Sequence, residues 1–176
     1  AAGINPIDTK LRSRGVFFSD ALPTILGCDG AGVITAVGDA VTRFKKGDAV
    51  WFCHGGLGDA PGNYAGYTVL PEAEAEPKPA ALDFTEAAAL PLVLITAWEA
   101  LSDRGRLQPD QTVRVHAGAG GVGHVAIQLA KSVGARVATT VSTPEKADLA
   151  RAHGADRTIL YSEEDVSAAV MQWTGD

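Results

Sequence analysis

The chain has 176 residues, of which 46% are hydrophobic and 20% are charged, and this composition excludes disorder as its main state. Its 15 basic and 21 acidic residues give a formal charge of −6, which offers no general attraction for nucleic acid or an anionic membrane surface. That charge favours a small-molecule partner instead. Two cysteines are too few for a disulfide framework, so the sequence favours a reducing, cytoplasmic setting.

The first part of the chain, up to about residue 80, is predicted to be a β-rich module. Apolar residues alternate there in short runs that glycine, proline and aspartate interrupt, at 32–37, 49–52 and 64–70. Residues 85–101 then have the composition of a helix, and the apolar run at 87–98 is too short for a membrane span. We therefore predict two domains, residues 1–84 and residues 85–176.

The second part has the order of elements typical of βαβ units. Strands are predicted at 113–116, 136–141 and 158–161, with a helix at 122–133 between the first two. Gly134 stands where a glycine would end that helix, and the next helix is predicted to begin at 142–145. A last helix is predicted over 162–173, with Ser162 and three acidic residues at its start.

A glycine motif follows the first of these strands directly and leads into the helix. Its sequence is Gly118-Ala119-Gly120-Gly121-Val122-Gly123, in which the first, third and sixth residues form a GxGxxG pattern. The first glycine permits a tight turn, the second lets a pyrophosphate approach the backbone, and the third lets the helix pack on the sheet. Backbone N–H groups at the helix start then bind the anion. The alternative is a turn that only joins a strand to a helix.

The residues after the second strand indicate which dinucleotide binds. NAD-binding units usually carry Asp or Glu there, against the ribose 2′-hydroxyl. This chain has Ser142 and Thr143 instead, followed one helical turn later by Lys146. A hydroxyl and an ammonium group suit a 2′-phosphate, which a carboxylate would repel. The pattern therefore favours NADPH, and the alternative is that Lys146 is an ordinary solvated lysine.

Six short strings are spread over nearly the whole chain: residues 1–9 (AAGINPIDT), 27–33 with 37–38 (GCDGAGV, VG), 47–50 (GDAV), 64–67 (YAGY), 87–91 (AAALP), and 118–123 with 128–131 (GAGGVG, QLAK). Together they resemble the medium-chain dehydrogenase/reductase superfamily, and within it the zinc-independent quinone oxidoreductase branch. The resemblance implies an α/β protein in which a partial GroES-like, β-rich domain precedes a partial Rossmann domain with a doubly wound parallel sheet.

The same resemblance implies that the chain is an internal fragment of a longer homodimeric protein. Further strands are then expected before residue 1 and after residue 176. Because a parallel sheet cut after three strands exposes unpaired edge groups, we expect the isolated chain to be poorly stable or self-associating, and its own activity to be doubtful.

Zinc-dependent relatives differ from this chain at three positions. They carry a cysteine where Asn5 stands, a histidine where Cys28 stands and a cysteine near Leu92, so we expect no metal site. Without zinc, an alcohol loses its usual activation for oxidation. The resemblance then implies an enzyme that transfers a hydride from NADPH to a quinone or an α,β-unsaturated carbonyl.

The resemblance also suggests roles for four side chains outside the glycine motif. It places Asn5 and Asp8 near the nicotinamide and the substrate carbonyl, where Asn5 would donate a hydrogen bond to the developing oxyanion. It places Thr96 at the nicotinamide end and Tyr161 beside the 2′-phosphate. The alternatives are an Asn-Pro turn, a backbone-capping aspartate, a threonine bonded to its own helix, and a rim aromatic. Lys10 stands where relatives often have tyrosine, so no proton-donor role is carried over to it.

Two other functions remain open from the sequence. One is a relative of the zinc-type alcohol dehydrogenases, which the three replaced ligands oppose. The other is a non-catalytic NADPH-binding protein, acting as a redox sensor or a structural protein, which would bind the nucleotide without oxidising it.

Overall fold

The structure, a computed structural model, describes residues 1–18 and 22–175. The chain forms two compact units, Ala1–Leu92 and Val93–Asp176. The first contains an antiparallel sheet and the second a parallel sheet, each of three strands. The domain boundary predicted after residue 84 falls inside the first unit and remains a prediction.

The first unit is built on an antiparallel sheet in the order β1-β2-β3, with Asp29 paired to Cys53 and Val33 to Ala49. The Phe52 ring packs against Gly30. A Cβ at residue 30 would lie 2.4 Å from that ring, so the packing requires a glycine there. The elements of this unit are α1 (Pro6–Arg14), β1 (Asp29–Val33), β2 (Ala49–Cys53), a 3-10 turn (Glu72–Glu74), β3 (Ala75–Pro77) and α2 (Phe84–Ala88).

Two of the three predicted runs in this unit differ from the structure. Residues 49–52 lie in β2 as predicted, but β1 ends at Val33, and 64–70 form no strand among the described residues. Tyr67 is 80% exposed and Val69 is 92% exposed, so the alternation does not mark a buried face, although Leu70 packs against the interior of the sheet. Alternation favours a strand only where a neighbouring strand pairs with the backbone, and the described sheet offers no such partner there.

The second unit is a parallel sheet in the order β4-β5-β6, with Val115 paired to Thr139 and Val141 to Leu160. The predicted βαβ order is confirmed, with strand ends shifted by at most one residue. From α3 onward the elements are α3 (Pro91–Trp98), a π-helix (Glu99–Arg104), β4 (Thr112–Val115), α4 (Gly121–Val133), β5 (Arg136–Val141), α5 (Pro144–Ala152), β6 (Arg157–Leu160) and α6 (Val166–Thr174).

The helices begin and end where local chemistry favours it. Gly134 adopts the left-handed conformation with φ 92° and ends α4, as predicted. The Thr143 hydroxyl accepts from the N–H of Lys146 and caps α5, whose first residue is Pro144. The last helix begins later than predicted, because Asp165 rather than Ser162 caps it by accepting from the N–H of Ala168 at 2.8 Å.

The prediction of one continuous helix over 85–101 is wrong. The structure has α2, a break at 89–90, then α3 and the π-helix. Pro91 lacks a backbone N–H and restricts the residue before it, so it starts a new helix rather than continuing α2. No helix within residues 1–18 and 22–175 combines the length and apolarity needed to cross a membrane.

The interior of the second unit depends on side chains of α4 and the sheet. Ile127, Val137 and Ile159 are each 0% exposed. We expect Ile127→Ala to lower the free energy of unfolding by about 2–5 kcal/mol, because it leaves a cavity that neighbours fill only partly. Urea denaturation followed by circular dichroism measures this loss.

Leu149→Ala is the matched control, since Leu149 is 45% exposed on α5. We expect it to change stability by about 0.5 kcal/mol or less. Equal losses in the two variants would contradict the assignment of Ile127 to a packed interior.

Candidate functional site

The glycine motif forms a turn between the end of β4 and the start of α4. The N–H of Gly120 donates to the carbonyl of Ala117 at 2.8 Å, and Gly120 is the N-cap residue of α4. A glycine has no side chain to cap the helix, so the first N–H groups of α4, at Gly121 and Val122, are suited to an anion. Both residues are exposed.

The three motif glycines differ in what a side chain would meet. At Gly118 a Cβ would lie 2.2 Å from the Thr139 hydroxyl oxygen, and at Gly123 it would lie 2.1 Å from the Ala117 carbonyl oxygen. At Gly120 the nearest atom would be 3.1 Å away. The outer glycines are therefore required by packing within the unit, whereas the middle one leaves its outer side open, as the predicted approach of a pyrophosphate requires.

The turn also contains a residue that the sequence analysis missed. Ala117 has φ 55°, in the left-handed region that residues with a side chain rarely adopt, whereas Gly118 has no positive φ. The tight turn assigned to the first glycine is thus made one residue earlier. Sequence patterns contain no signal for this, because alanine itself does not favour the conformation.

Ser142 and Lys146 contact one another at the carboxyl end of β5. The Lys146 ammonium donates to the Ser142 hydroxyl oxygen at 2.9 Å, and Lys146 is exposed. Tyr161 lies at the same edge, since its N–H donates to the carbonyl of Val141 and its side chain is 56% exposed. The structure thus brings the three residues predicted for the 2′-phosphate to neighbouring strand ends.

Thr96 lies on α3, in the same unit as the glycine motif. The first turn of α3 reaches the start of α4, because the Val93 side chain would be 3.5 Å from a Cβ at Gly121. Thr96 is exposed and one turn further along α3 than Val93. Its predicted role at the nicotinamide end stays a prediction.

The other predicted pair, Asn5 and Asp8, lies in the first unit and is buried, with 6% and 4% exposure. The backbone N–H of Asn5 donates to the Asp8 carboxylate at 2.7 Å, and the Asn5 side-chain NH2 donates to the Asp29 carboxylate at 2.8 Å. Asp8 therefore acts as the backbone cap that the sequence offered as an alternative. Asn5 joins two buried carboxylates.

Asp29 and Tyr64 complete this group, and sequence reasoning gave neither a role. The fully buried Asp29 carboxylate also accepts from the N–H of Leu92 at 2.8 Å, and burial raises its pKa above the ordinary value. The Tyr64 hydroxyl donates to Asp8 at 2.7 Å, and burial together with that carboxylate raises the pKa of Tyr64. Both residues lay in strings quoted for the resemblance, but only the fold brings them to Asn5 and Asp8.

Residues at the positions of a zinc ligand set do not fit a metal. The Asn5 NH2 group points its donor at Asp29, and Leu92 has a hydrocarbon side chain. Burial, and then Asp8, raise the pKa of the Cys28 thiol to about 11, which disfavours the thiolate that zinc requires. No cluster of three or more metal-binding side chains occurs in the described part of the chain.

Both units match known domain families. Residues 1–80 match the family described as "Alcohol dehydrogenase GroES-like domain", and residues 121–176 match the one described as "Zinc-binding dehydrogenase". A quinone oxidoreductase of Pseudomonas aeruginosa is 45% identical over 174 residues, which are 99% of this chain and 52% of the relative. The chain belongs to the quinone oxidoreductase branch of the medium-chain dehydrogenase/reductase superfamily.

Two other members of this superfamily are also similar to nearly the whole chain. The NADPH-dependent alkenal/one oxidoreductase of Arabidopsis thaliana is 42% identical over 174 residues, covering 94% of this chain and 44% of the relative. The solved Escherichia coli quinone oxidoreductase complexed with NADPH is 38% identical with a TM-score of 0.86, covering 99% and 52%. The predicted fold class, GroES-like then Rossmann, is confirmed. The chain spans about half the length of the curated relatives it matches.

The two thiols of this superfamily member provide a test of the buried environment around Asp29. Burial raises the pKa of Cys28 to about 11 and that of Cys53 to about 12, from 9.0. At pH 8 a thiol of ordinary pKa is about one-tenth thiolate, and one with a pKa near 11 is about one-thousandth. We expect iodoacetamide to alkylate the folded protein at least about a hundredfold more slowly than the urea-unfolded protein.

The rate in the folded protein should rise as the pH increases toward 11, because the thiolate form becomes more populated. Each of the variants Cys28→Ser and Cys53→Ser leaves a single thiol, so the alkylation rate of that variant is the rate of the remaining cysteine. Alkylation at similar rates in folded and unfolded protein would contradict the assignment of raised pKa values.

Proposed function

We propose that the protein binds NADPH at the glycine turn and reduces a quinone or an α,β-unsaturated carbonyl without a metal. One observation carries this proposal: the hydrogen-bonded pair of Lys146 and Ser142 follows β5, the strand paired with β4, and β5 is followed by Ser142 and Thr143 and not by Asp or Glu. The names of the relatives, quinone oxidoreductase and alkenal/one oxidoreductase, support this class of acceptor. NADPH supplies the hydride when bound, and the protein supplies binding and orientation.

The nucleotide fits the second unit in two places. The pyrophosphate would occupy the start of α4, where the N–H groups of Gly121 and Val122 and the positive end of the helix dipole favour an anion. The 2′-phosphate would accept from the Lys146 ammonium and the Ser142 hydroxyl, with Tyr161 at the rim. Thr96 would contact the nicotinamide end.

The residues proposed to act on the electron acceptor lie in the first unit. The Asn5 NH2 group has two hydrogens, and one of them is used by Asp29. The second would donate to the oxygen on which negative charge develops as the hydride arrives. Asp8 would hold Asn5 in place through the backbone N–H, and Tyr64 would hold Asp8.

Three further features of the whole protein are part of this proposal. We place it in the cytoplasm, because both cysteines are free thiols and Cys28 is buried. We expect no nucleic acid partner, because the net charge is −6. The homodimer expected for the whole protein rests on the family resemblance alone.

Lys146→Ala tests the nucleotide assignment. A charge-assisted hydrogen bond contributes about 1.5–3 kcal/mol, so we expect NADPH affinity to fall about ten- to a hundredfold while NADH affinity stays the same. Fluorescence titrations with the two nucleotides measure both affinities. Lys46→Ala, an equal loss of charge in the first unit, is the control and should change neither affinity.

A parallel loss of NADPH and NADH affinity in Lys146→Ala would contradict the phosphate contact. Failure of the folded wild-type protein to bind either nucleotide would overturn the whole proposal. Tight binding of NADPH without its oxidation by a panel of quinones and enones would indicate the sensor or structural protein instead.

Asn5→Ala tests the acceptor chemistry. Removing one donor to a developing oxyanion costs about a hundred- to a thousandfold in kcat in comparable sites, so we expect a loss of that order with NADPH affinity unchanged. Steady-state NADPH oxidation at 340 nm measures it. Thr9→Ala is the control, because Thr9 is exposed on the same helix and its hydroxyl donates to the Pro6 carbonyl of its own helix. Equal activities of Asn5→Ala and wild type would remove Asn5 from the mechanism.

A further inference from the structure

We propose that Thr140 is a positioning residue of the dinucleotide site, because its hydroxyl holds Ala117 in the left-handed conformation from which the glycine turn begins. This inference rests on the proposed NADPH binding. It concerns a residue of β5 that would act through the turn and not by touching the nucleotide.

The first step is the conformation of Ala117. Its φ of 55° is unfavourable for a residue with a Cβ, so contacts around the residue must maintain it. Its N–H donates to the Thr140 hydroxyl oxygen at 3.1 Å, and its carbonyl accepts from Gly120 at 2.8 Å. Both backbone polar groups of Ala117 are therefore fixed, one by β5 and one by the turn itself.

The second step is that Thr140 holds two successive peptide groups. Its own carbonyl accepts from the N–H of Gly118 at 3.2 Å, while its hydroxyl accepts from Ala117. The hydroxyl lies 3.2 Å from the Nδ1 atom of His116, to which it donates when that nitrogen is unprotonated. Thr140 is 4% exposed, so water cannot easily replace its hydroxyl.

The third step connects this anchor to the anion site. The Ala117 carbonyl sets the position of Gly120 through a hydrogen bond, and it lies where Gly123 would carry a side chain. Gly120 is the N-cap of α4, so the orientation of the first helical N–H groups depends on Ala117. Without the Thr140 hydroxyl, Ala117 can relax toward a right-handed conformation, and those N–H groups no longer converge on one phosphate.

The experiment compares NADPH affinity in Thr140→Val, which removes the hydroxyl at nearly constant shape, and Thr140→Ser, which keeps it. We expect the dissociation constant to rise about five- to tenfold in Thr140→Val and to stay within about twofold in Thr140→Ser. Thr158→Val is the matched control. Its hydroxyl is also buried in this sheet, but it accepts from Arg151 at 2.7 Å and does not contact the turn.

A second measurement needs no nucleotide. Amide hydrogen exchange of Ala117 and Gly118, followed by NMR, should be at least about fivefold faster in Thr140→Val and unchanged in Thr140→Ser. Thr140→Ala serves in place of the valine variant if that one does not fold. The melting temperature of each variant is compared with that of Thr158→Val, which separates a loss of global stability from a local effect on the turn.

Unchanged affinity and unchanged exchange in a folded Thr140→Val protein would overturn the inference. An equal loss of affinity in Thr158→Val would also overturn it, since the effect would then follow from stability alone. If the folded wild-type protein does not bind NADPH, the proposed function fails. The exchange experiment still decides whether Thr140 holds the turn.

Discussion

The parallel register of β4, β5 and β6 is the constraint on which the candidate nucleotide site depends. Parallel strands place their carboxyl ends at one edge of a sheet, and the pairing of Val115 with Thr139 and of Val141 with Leu160 sets how far each strand reaches. The loops that follow the strands therefore meet at that edge. The glycine turn, the Ser142 to Lys146 contact and Tyr161 come from three separate segments, and no local interaction would bring them together.

Within that edge, neutral side chains determine much of the geometry. Thr139 donates its hydroxyl to the Val115 carbonyl at 2.7 Å, and Thr140 accepts from Ala117. Adjacent residues of a strand point to opposite faces, so one hydroxyl holds the end of β4 and the other holds the turn, from different sides of the sheet. A turn held in this way can present its N–H groups to an anion without the rearrangement that a flexible loop would need.

The first unit has a different electrostatic character. Its buried group contains two carboxylates, Asp8 and Asp29, and the partners described for them are an asparagine, a tyrosine hydroxyl, a thiol and backbone N–H groups. Burial raises the pKa of Asp29 more than its hydrogen-bond donors lower it, and burial also raises the pKa of both thiols, which disfavours their thiolates. Such an environment suits hydrogen bonding to a substrate oxygen better than binding of a metal ion, which requires ionised ligands.

The sequence by itself determined the features that depend on short spacing: the βαβ order, the glycine motif, the end of α4 at Gly134, the absence of an acid after β5, and the family strings. Residues 64–70, the single helix over 85–101 and the start of α6 were predicted wrongly, because a strand needs a partner and a proline restarts a helix. Only the tertiary structure decided that Ala117 makes the tight turn, that Thr140 contacts it, and that Tyr64 and Asp29 meet Asp8 and Asn5. Those contacts join residues 23 to 56 positions apart, or depend on strand register, and local preference contains no information about either.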